Sequence, residues 1–287
     1  MDKIDAKAKV LTDILSTMRA VLVAYSGGVD STYLLWAALD ALGQDRVLAV
    51  TADAPIFPRA LQKQAAWVAH DLGVRHRFEP VAVLEDMDFV RNPSRRCYFC
   101  KRVILSKMRT VAQAEGLAWI VEGSNLDDQN EYRPGVQAVQ ELEIRSPLQE
   151  ARLTKAEIRQ LSRRAGLPTW NQAAQTCLAT RFPHGRPITM DGLAQVEAAE
   201  EALQACLAEM VAEGKTGDVR VRHHGEIARI EVSPALIPLL VQPDLAGQLV
   251  DRLQRTGYRY VTLDLAGYRR FTPISLSHKR KREKRAG

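Results

Sequence analysis

The chain has 287 residues, of which 46% are hydrophobic and 26% charged, with a net charge of +6. That length holds one large domain or two medium ones, and the composition is that of an ordinary globular protein. No apolar run approaches the roughly 18 residues that a membrane span needs, so a cytoplasmic protein without a membrane partner is expected. The excess charge sits at the end. In HKRKREKRAG six basic side chains (Lys279, Arg280, Lys281, Arg282, Lys284, Arg285) face only Glu283, a net of +5 that leaves the rest almost neutral. A short run of like charge reads as a solvated, disordered tail, residues 271–287, so nucleic acid is not the expected partner.

In chain order, MDKIDAKAKVLTDIL mixes acids and bases as an amphipathic helix does and a signal peptide does not. VLVAY (21–25) is a buried-strand candidate, followed by a turn and the helical STYLLWAALDALG. VLAVT (47–51) and RALQKQAAWVAHDLG form the next strand and helix. HRFEPV, AWIVEG (118–123) and IRSPL continue the series, with helices near 103–115 and 154–165. Strands alternating with helices of this length predict a doubly wound, mostly parallel α/β sheet over residues 1–186, whose ligands sit outside the carboxyl ends of the strands. Past Pro187 the pattern changes. DGLAQVEAAEEALQACLAEMVAEG reads as one long helix with an apolar stripe that includes Cys206, a core residue by this pattern. DVRVRHHGEIARIEV reads as two strands about a His-His-Gly turn, and YRYVTLDLAGY as another strand. Residues 187–270 are therefore expected to form a smaller α+β domain.

The most informative motif is AYSGGVDST, Ala24–Thr32, between a strand and a helix. Gly27 and Gly28 let the backbone turn tightly, and the amides of the following helix start favour an anion. Ser26 and Ser31 add hydroxyl donors. The lysine of a Walker A loop is missing, and Asp30 stands where that loop wants positive charge. An acid in a phosphate cradle makes sense if it holds a magnesium ion that bridges phosphates. SGGVDS resembles the signature of the PP-loop ATP pyrophosphatases, which implies cleavage of ATP between the α and β phosphates, adenylylation of an oxygen, and displacement of AMP by a nucleophile. The stretch ahead of the loop is too short for a glutaminase domain to deliver ammonia, which directs attention to sulfur.

The cysteines bear on this. NPSRRCYFCKRVIL spaces Cys97 and Cys100 by three, so both sulfurs lie on one side of a helical turn. Such a pair chelates a metal or forms a redox couple. Cys177, in QTCLATRFPHG, is the candidate third sulfur. Three thiolates on a four-iron four-sulfur cluster leave one iron to carry a sulfide, whereas zinc with His184 as fourth ligand is the alternative, and three unrelated thiols is the bland reading.

The loop, NPSRRCYFCK, EGSNLDDQNEYRPG (122–135), SPLQEARLTKAEIRQLSRRAGLPTW, CLATRFPHG and VRVRHHGEIARIE together resemble the LarE family, in order and over about residues 8–268. These are ATP-dependent sulfur transferases of nickel-pincer nucleotide biosynthesis, and the resemblance implies a pyridinium-3,5-biscarboxylic acid mononucleotide substrate, a homo-oligomer, and sulfur supplied by a cluster or by sacrifice of the cysteine at Cys177. It implies ATP at Ser26, Gly27, Gly28, Asp30, Ser31 and Gly123, magnesium at Asp30, and a 4Fe-4S cluster at Cys97, Cys100 and Cys177. Cys177, Arg181 and Asp30 would be catalytic, and Arg133, Arg181, Glu200, Arg220 and Arg222 would bind substrate. Read alone, Arg181 is a surface ion pair, Glu200, Arg220 and Arg222 are solvated surface, and Asn125, Asp127 and Asp128 either cap a helix or face nucleotide and metal. After LDLAGYR the chain departs from the family pattern. A PP-loop tRNA thiolase and a non-enzymatic, zinc-holding nucleotide module share parts of this signature.

Overall fold

The computed structural model of the chain describes residues 2–130, 134–173, 176–210 and 219–268. Two compact units divide at Glu197 and Ala198.

In the first unit, α1 (Lys3–Thr17) leads into β1 (Val21–Ala24), α2 (Val29–Leu42), β2 (Val47–Asp53), α3 (Arg59–Asp71) and β3 (Arg75–Pro80). Two helices follow, α4 (Met87–Val90) and α5 (Arg96–Ala114), then β4 (Trp119–Val121). The unit continues with α6 (Gly135–Glu141), α7 (Pro147–Glu150), α8 (Lys155–Arg164) and the start of α9 (Met190–Met210). The strands pair in the order β3-β2-β1-β4, all parallel.

Alternation along the strands explains the layering. Val21, Val23, Val47, Ala49 and Val121 point to one face and pack with Leu11, Leu15, Leu34, Leu35, Ile158 and Leu161 of α1, α2 and α8. Leu22, Leu48, Val50 and Ile120 point to the other and pack with Leu105, Met108 and Val111 of α5. Burial on both faces is what makes VLVA and VLAV continuous apolar runs. At the edge, β3 is charged, with Arg75 and Arg77 paired to Glu115 and Arg77 also to Glu79, which suits a strand with one unpaired side. The α/β fold class is as the sequence predicts. One element differs: IRSPL is not a strand. It makes a single parallel bridge, Arg145 to Val121, and then turns into α7, because Pro147 sits at a helix start, where its missing N–H costs nothing.

Strand order reverses between β1 and β4, and open α/β sheets bind ligands in the crevice outside the carboxyl ends at such a point. The loops after β1 and β4 are therefore the place to look.

In the second unit, β5 (Arg220–His224) and β6 (Ile227–Glu231) form an antiparallel hairpin turned at Gly225 (φ 74°), and β7 (Tyr260–Leu263) pairs parallel to β6. Its core joins Leu203, Cys206 and Leu207 of α9 to Val221, Ala228 and Ile230. Between β6 and β7 lie α10 (Ile237–Leu240) and α11 (Pro243–Arg255). The latter is absent from the sequence reading, although buried Leu245, Leu249 and Leu253 at spacings of four carry its signal. Cys206 is fully buried, as its stripe predicts. Among the described residues no helix is long and apolar enough to cross a membrane.

Candidate functional site

The loop after β1 is built around two close approaches. Gly27 has φ 74°, and a Cβ there would stand 2.7 Å from the Cβ of Ala65 in α3. Glycine is thus required for the backbone shape and for the space. Gly123, after β4, is similarly constrained, since a Cβ would lie 3.0 Å from the Ser31 amide nitrogen. Ser26 Oγ and Ser31 Oγ meet at 2.9 Å, and Ser31 Oγ donates to the Gly28 carbonyl at 3.2 Å. The first helical bond of α2 is Thr32 N–H to Gly28 O, at 2.9 Å. Ahead of it the Gly28 N–H reaches Ser26 Oγ at 3.4 Å, while the amides of Val29, Asp30 and Ser31 are donors that the helix itself does not pair, reinforced by the helix dipole.

Beneath the loop, Thr51 of β2 donates its hydroxyl to the Tyr25 carbonyl at 2.9 Å and meets His76 Nε2 of β3 at 2.9 Å. Burial pushes the His76 pKa down, so its ring is neutral and serves as a hydrogen-bonding prop. Sequence reasoning missed this pair, because nothing in either strand marks which residues face across it.

A lysine does reach the loop. Lys155, the first residue of α8, places Nζ 2.5 Å from Asp30 Oδ2. Its own N–H donates to Asp127 Oδ2 at 2.8 Å, while Thr154 and Glu157 close a capping box. Asn125 Oδ1 accepts from the Asp127 amide and Asp128 Oδ2 from the Asn125 amide. These three side chains shape a helix start, and Asp127 thereby positions Lys155. The other oxygen of Asp30, Oδ1, is buried without a protein hydrogen-bond partner. A hard, oxygen-seeking cation fits that oxygen, and this supports the magnesium expectation at Asp30.

Cys100 and Cys177 pack on the other face of the sheet, the one that α5 covers. Cys97 and Cys100 occupy the first turn of α5, and Cys177 opens a 3₁₀ turn, Leu178–Arg181, whose Leu178 N–H bonds the Ile56 carbonyl beyond β2 at 2.8 Å. Burial raises the Cys100 pKa well above 9.0, with the charges of Cys177 and Cys97 adding to it and Lys101 and Arg96 opposing. Burial likewise raises Cys177, with Cys97 adding and Arg96 and Arg181 opposing. Cys97 is thus near enough to both for its charge to add to their upward shifts. Among the described residues, no three His, Cys, Asp or Glu side chains form a ready-made site for a single metal ion. The donor set of three thiols ringed by Arg96, Lys101 and Arg181 suits a group that offsets thiolate charge, as an iron–sulfur cluster does. His184, the alternative fourth ligand, is exposed, with Nδ1 3.5 Å from Arg96 Nη1.

Two side chains that sequence reasoning did not single out hold these parts together. Buried Asn92 (φ 53°) donates Nδ2 to the carbonyls of Pro183 (2.9 Å) and Arg186 (3.0 Å) and accepts from Arg96 Nη1 (2.8 Å). Buried Glu122, at the end of β4, pairs with Lys101 at 2.8 Å and accepts from Ser124 and Ser146. Burial opposes its charge, but Lys101 and these hydrogen bonds prevail and hold its pKa below 4.5. Glu122 therefore ties the cysteine helix to Gly123, which packs on Ser31.

Arg181 is not a surface ion pair. It is 3% exposed, and its Nη1 bonds the carbonyls of Thr176 and Cys177 and the hydroxyls of Thr176 and Thr180. Nor are Glu200 and Arg220 solvated, each being 7% exposed. Glu200 accepts from the Val221 amide, Arg220 lies over the Tyr268 ring, and Arg222 pairs with Glu231 at 2.7 Å. Polar residues that bond across elements carry no periodic signature of it. Arg133 lies outside the described residues.

The chain is 37% identical over 270 residues to the pyridinium-3,5-bisthiocarboxylic acid mononucleotide synthase of Lactiplantibacillus plantarum, covering 94% of each chain. The chain belongs to the LarE family. It is also 39% identical to an uncharacterized protein of Synechocystis sp., over 92% of this chain and 96% of the other. A further uncharacterized protein, from Methanocaldococcus jannaschii, is 25% identical over 88% and 92% of the two chains. No protein-family model matches. For a LarE-family chain the loop and the thiols are the parts whose chemistry needs assignment.

Proposed function

We propose that this enzyme is an ATP-dependent sulfur transferase that converts pyridinium-3,5-biscarboxylic acid mononucleotide to the thiocarboxylate. A substrate carboxylate oxygen attacks the α-phosphorus of ATP and pyrophosphate leaves. Sulfide then attacks the activated carbonyl carbon and AMP leaves. The observation that carries the reading is the link between the two parts at the carboxyl end of β4: Gly123 packs on Ser31 of the loop, and Glu122 beside it pairs with Lys101 of the Cys97–Cys100 helix at 2.8 Å. The full-length likeness to a synthase of the bisthiocarboxylic mononucleotide supports the substrate class.

In this reading Ser26, Gly27, Gly28 and Ser31 bind the leaving pyrophosphate with hydroxyls and amides, and Gly123 keeps the wall thin enough for the nucleotide. Asp30 holds magnesium through the oxygen that the protein leaves unpaired. Cys97, Cys100 and Cys177 hold a four-iron four-sulfur cluster, which supplies an iron without a protein ligand to carry sulfide. Arg181 keeps the Cys177 turn in place and adds a fixed cation beside it. Arg133, Glu200, Arg220 and Arg222 contribute to substrate binding, and the protein works as a homo-oligomer in the cytoplasm.

The test is anaerobic purification with iron and sulfide analysis, then turnover with ATP, magnesium, the dicarboxylate nucleotide and sulfide. The expected products are AMP, pyrophosphate and the thiocarboxylate, with iron content lost equally in Cys97→Ala, Cys100→Ala and Cys177→Ala. Mass spectrometry showing loss of one H₂S from Cys177 per product would replace the cluster by sacrifice of that cysteine.

A further inference from the structure

The loop Ser26–Ser31 carries an acid and no base, although it is proposed to receive a polyanion. We infer that Lys155 is the missing cation: it neutralises Asp30 while the site lacks metal, and moves its ammonium to the ATP phosphates when magnesium takes that carboxylate. The inference deepens the proposed ATP chemistry and rests on it.

Four observations support the exchange. Lys155 Nζ is 2.5 Å from Asp30 Oδ2, across 125 residues of sequence, so the pairing is made by the fold and not by local helix geometry. The backbone of Lys155 is fixed three ways, by Asp127 on its amide, by the Thr154–Glu157 box, and by the Leu126 N–H bond to the Leu153 carbonyl. Its side chain is one-third exposed, so a four-carbon stem on a fixed root has room to swing. Finally, Asp30 keeps Oδ1 buried and unpaired. A carboxylate with one oxygen in an ion pair and the other unsatisfied is half-committed, and a divalent cation satisfies both oxygens better than one ammonium does. Once released, the ammonium stands beside the α2 amides, where pairing with phosphate oxygens is stronger than hydration of an isolated charge. No bond is made or broken, so the step is an exchange of partners only.

Two consequences oppose each other, and this makes the idea testable. Lys155 should compete with metal for Asp30 yet assist the metal–nucleotide complex. The probe is ATP with a methylene group between the α and β phosphates, titrated by calorimetry with and without magnesium, alongside Mn²⁺ alone followed by electron paramagnetic resonance. Lys155→Met is expected to weaken the magnesium–nucleotide complex by about 10- to 100-fold, the worth of one charge-assisted contact. Its affinity for Mn²⁺ alone should equal or exceed that of the wild type, and Lys155→Arg should recover part of the nucleotide binding.

Asp30→Asn gives an independent arm, because it frees Lys155 without metal. This variant should bind the analogue in the absence of magnesium more tightly than the wild type does, and that gain should vanish in the double variant with Lys155→Met. Wild-type nucleotide affinity in Lys155→Met overturns the inference. So does a parallel loss of Mn²⁺ and nucleotide, which would make Lys155 only a prop for Asp30. A wild-type protein that binds no analogue would instead refute the ATP reading itself.

Discussion

The side-chain amide of Asn92 donates to the carbonyl of Pro183 at 2.9 Å, and this bond ties the approach to the Cys97–Cys100 helix to the segment that follows Cys177. The same side chain bonds Arg186 and Arg96, and its backbone carbonyl accepts from Gly185. It is also one of four non-glycine residues in the left-handed region among the described residues. Asn92→Ala is expected to strand these carbonyls and to cost about 2–4 kcal/mol of stability, from several lost buried hydrogen bonds and a strained backbone. Urea denaturation measures this. A midpoint unchanged from wild type would show that the two cysteine segments are held by other means.

Gly27→Ala places a methyl group 2.7 Å from the Ala65 Cβ at a φ of 74°. The loop must shift, so the expected result is a loss of nucleotide binding of at least about tenfold and a stability cost of about 1–3 kcal/mol. Adding Ala65→Gly removes the 2.7 Å contact but leaves the residue-65 Cα at 3.0 Å and the φ penalty. The double variant should therefore recover part of the binding, and calorimetry on both separates the two causes.

The parts of the site legible in the sequence are those whose chemistry is local. SGGVDS lies on one strand–turn–helix unit, and CYFC on one helical turn, so spacing alone marks them. Cys206 is legible for the same reason, since its neighbours on one helix face announce a core stripe. What escapes is pairing across distance. Lys155 meets Asp30 over 125 residues, and Asn92 meets Pro183 over 91. Each reads as an ordinary polar residue until the sheet brings its partner. IRSPL misleads because a bridge of one residue and a strand share the same apolar pattern, and only Pro147 distinguishes them.

Glu122 makes stability depend on pH in a defined window. Its folded-state pKa lies below 4.5, so its contribution is present above that value and fades as pH falls through the folded-state pKa. Glu122→Gln leaves Lys101 without its charged partner, which should cost about 1–3 kcal/mol near pH 7. The difference between wild type and variant should shrink steadily below pH 4.5, as the wild-type carboxyl becomes protonated. Paired denaturation curves at pH 7, 5 and 3.5 check this, and a constant difference would assign the stabilisation to shape rather than to charge.

The thiols should react in an order set by exposure and burial. Cys97 is exposed, whereas Cys100 and Cys177 are half-buried with pKa values raised by burial and by one another's charge. Thiolate is the species that alkylates. Iodoacetamide on the metal-free protein at pH 7 should therefore modify Cys97 first, with Cys100 and Cys177 lagging and Cys206 protected until unfolding. Removing a neighbour should help the survivors, because part of each shift comes from the other sulfurs. In Cys97→Ser, Cys177 should alkylate faster than in wild type at the same pH. Peptide mass mapping over a time course reads all four sites at once. Unchanged Cys177 kinetics in Cys97→Ser would mean that the sulfurs do not share one electrostatic environment, and would remove the geometric support for a common cluster.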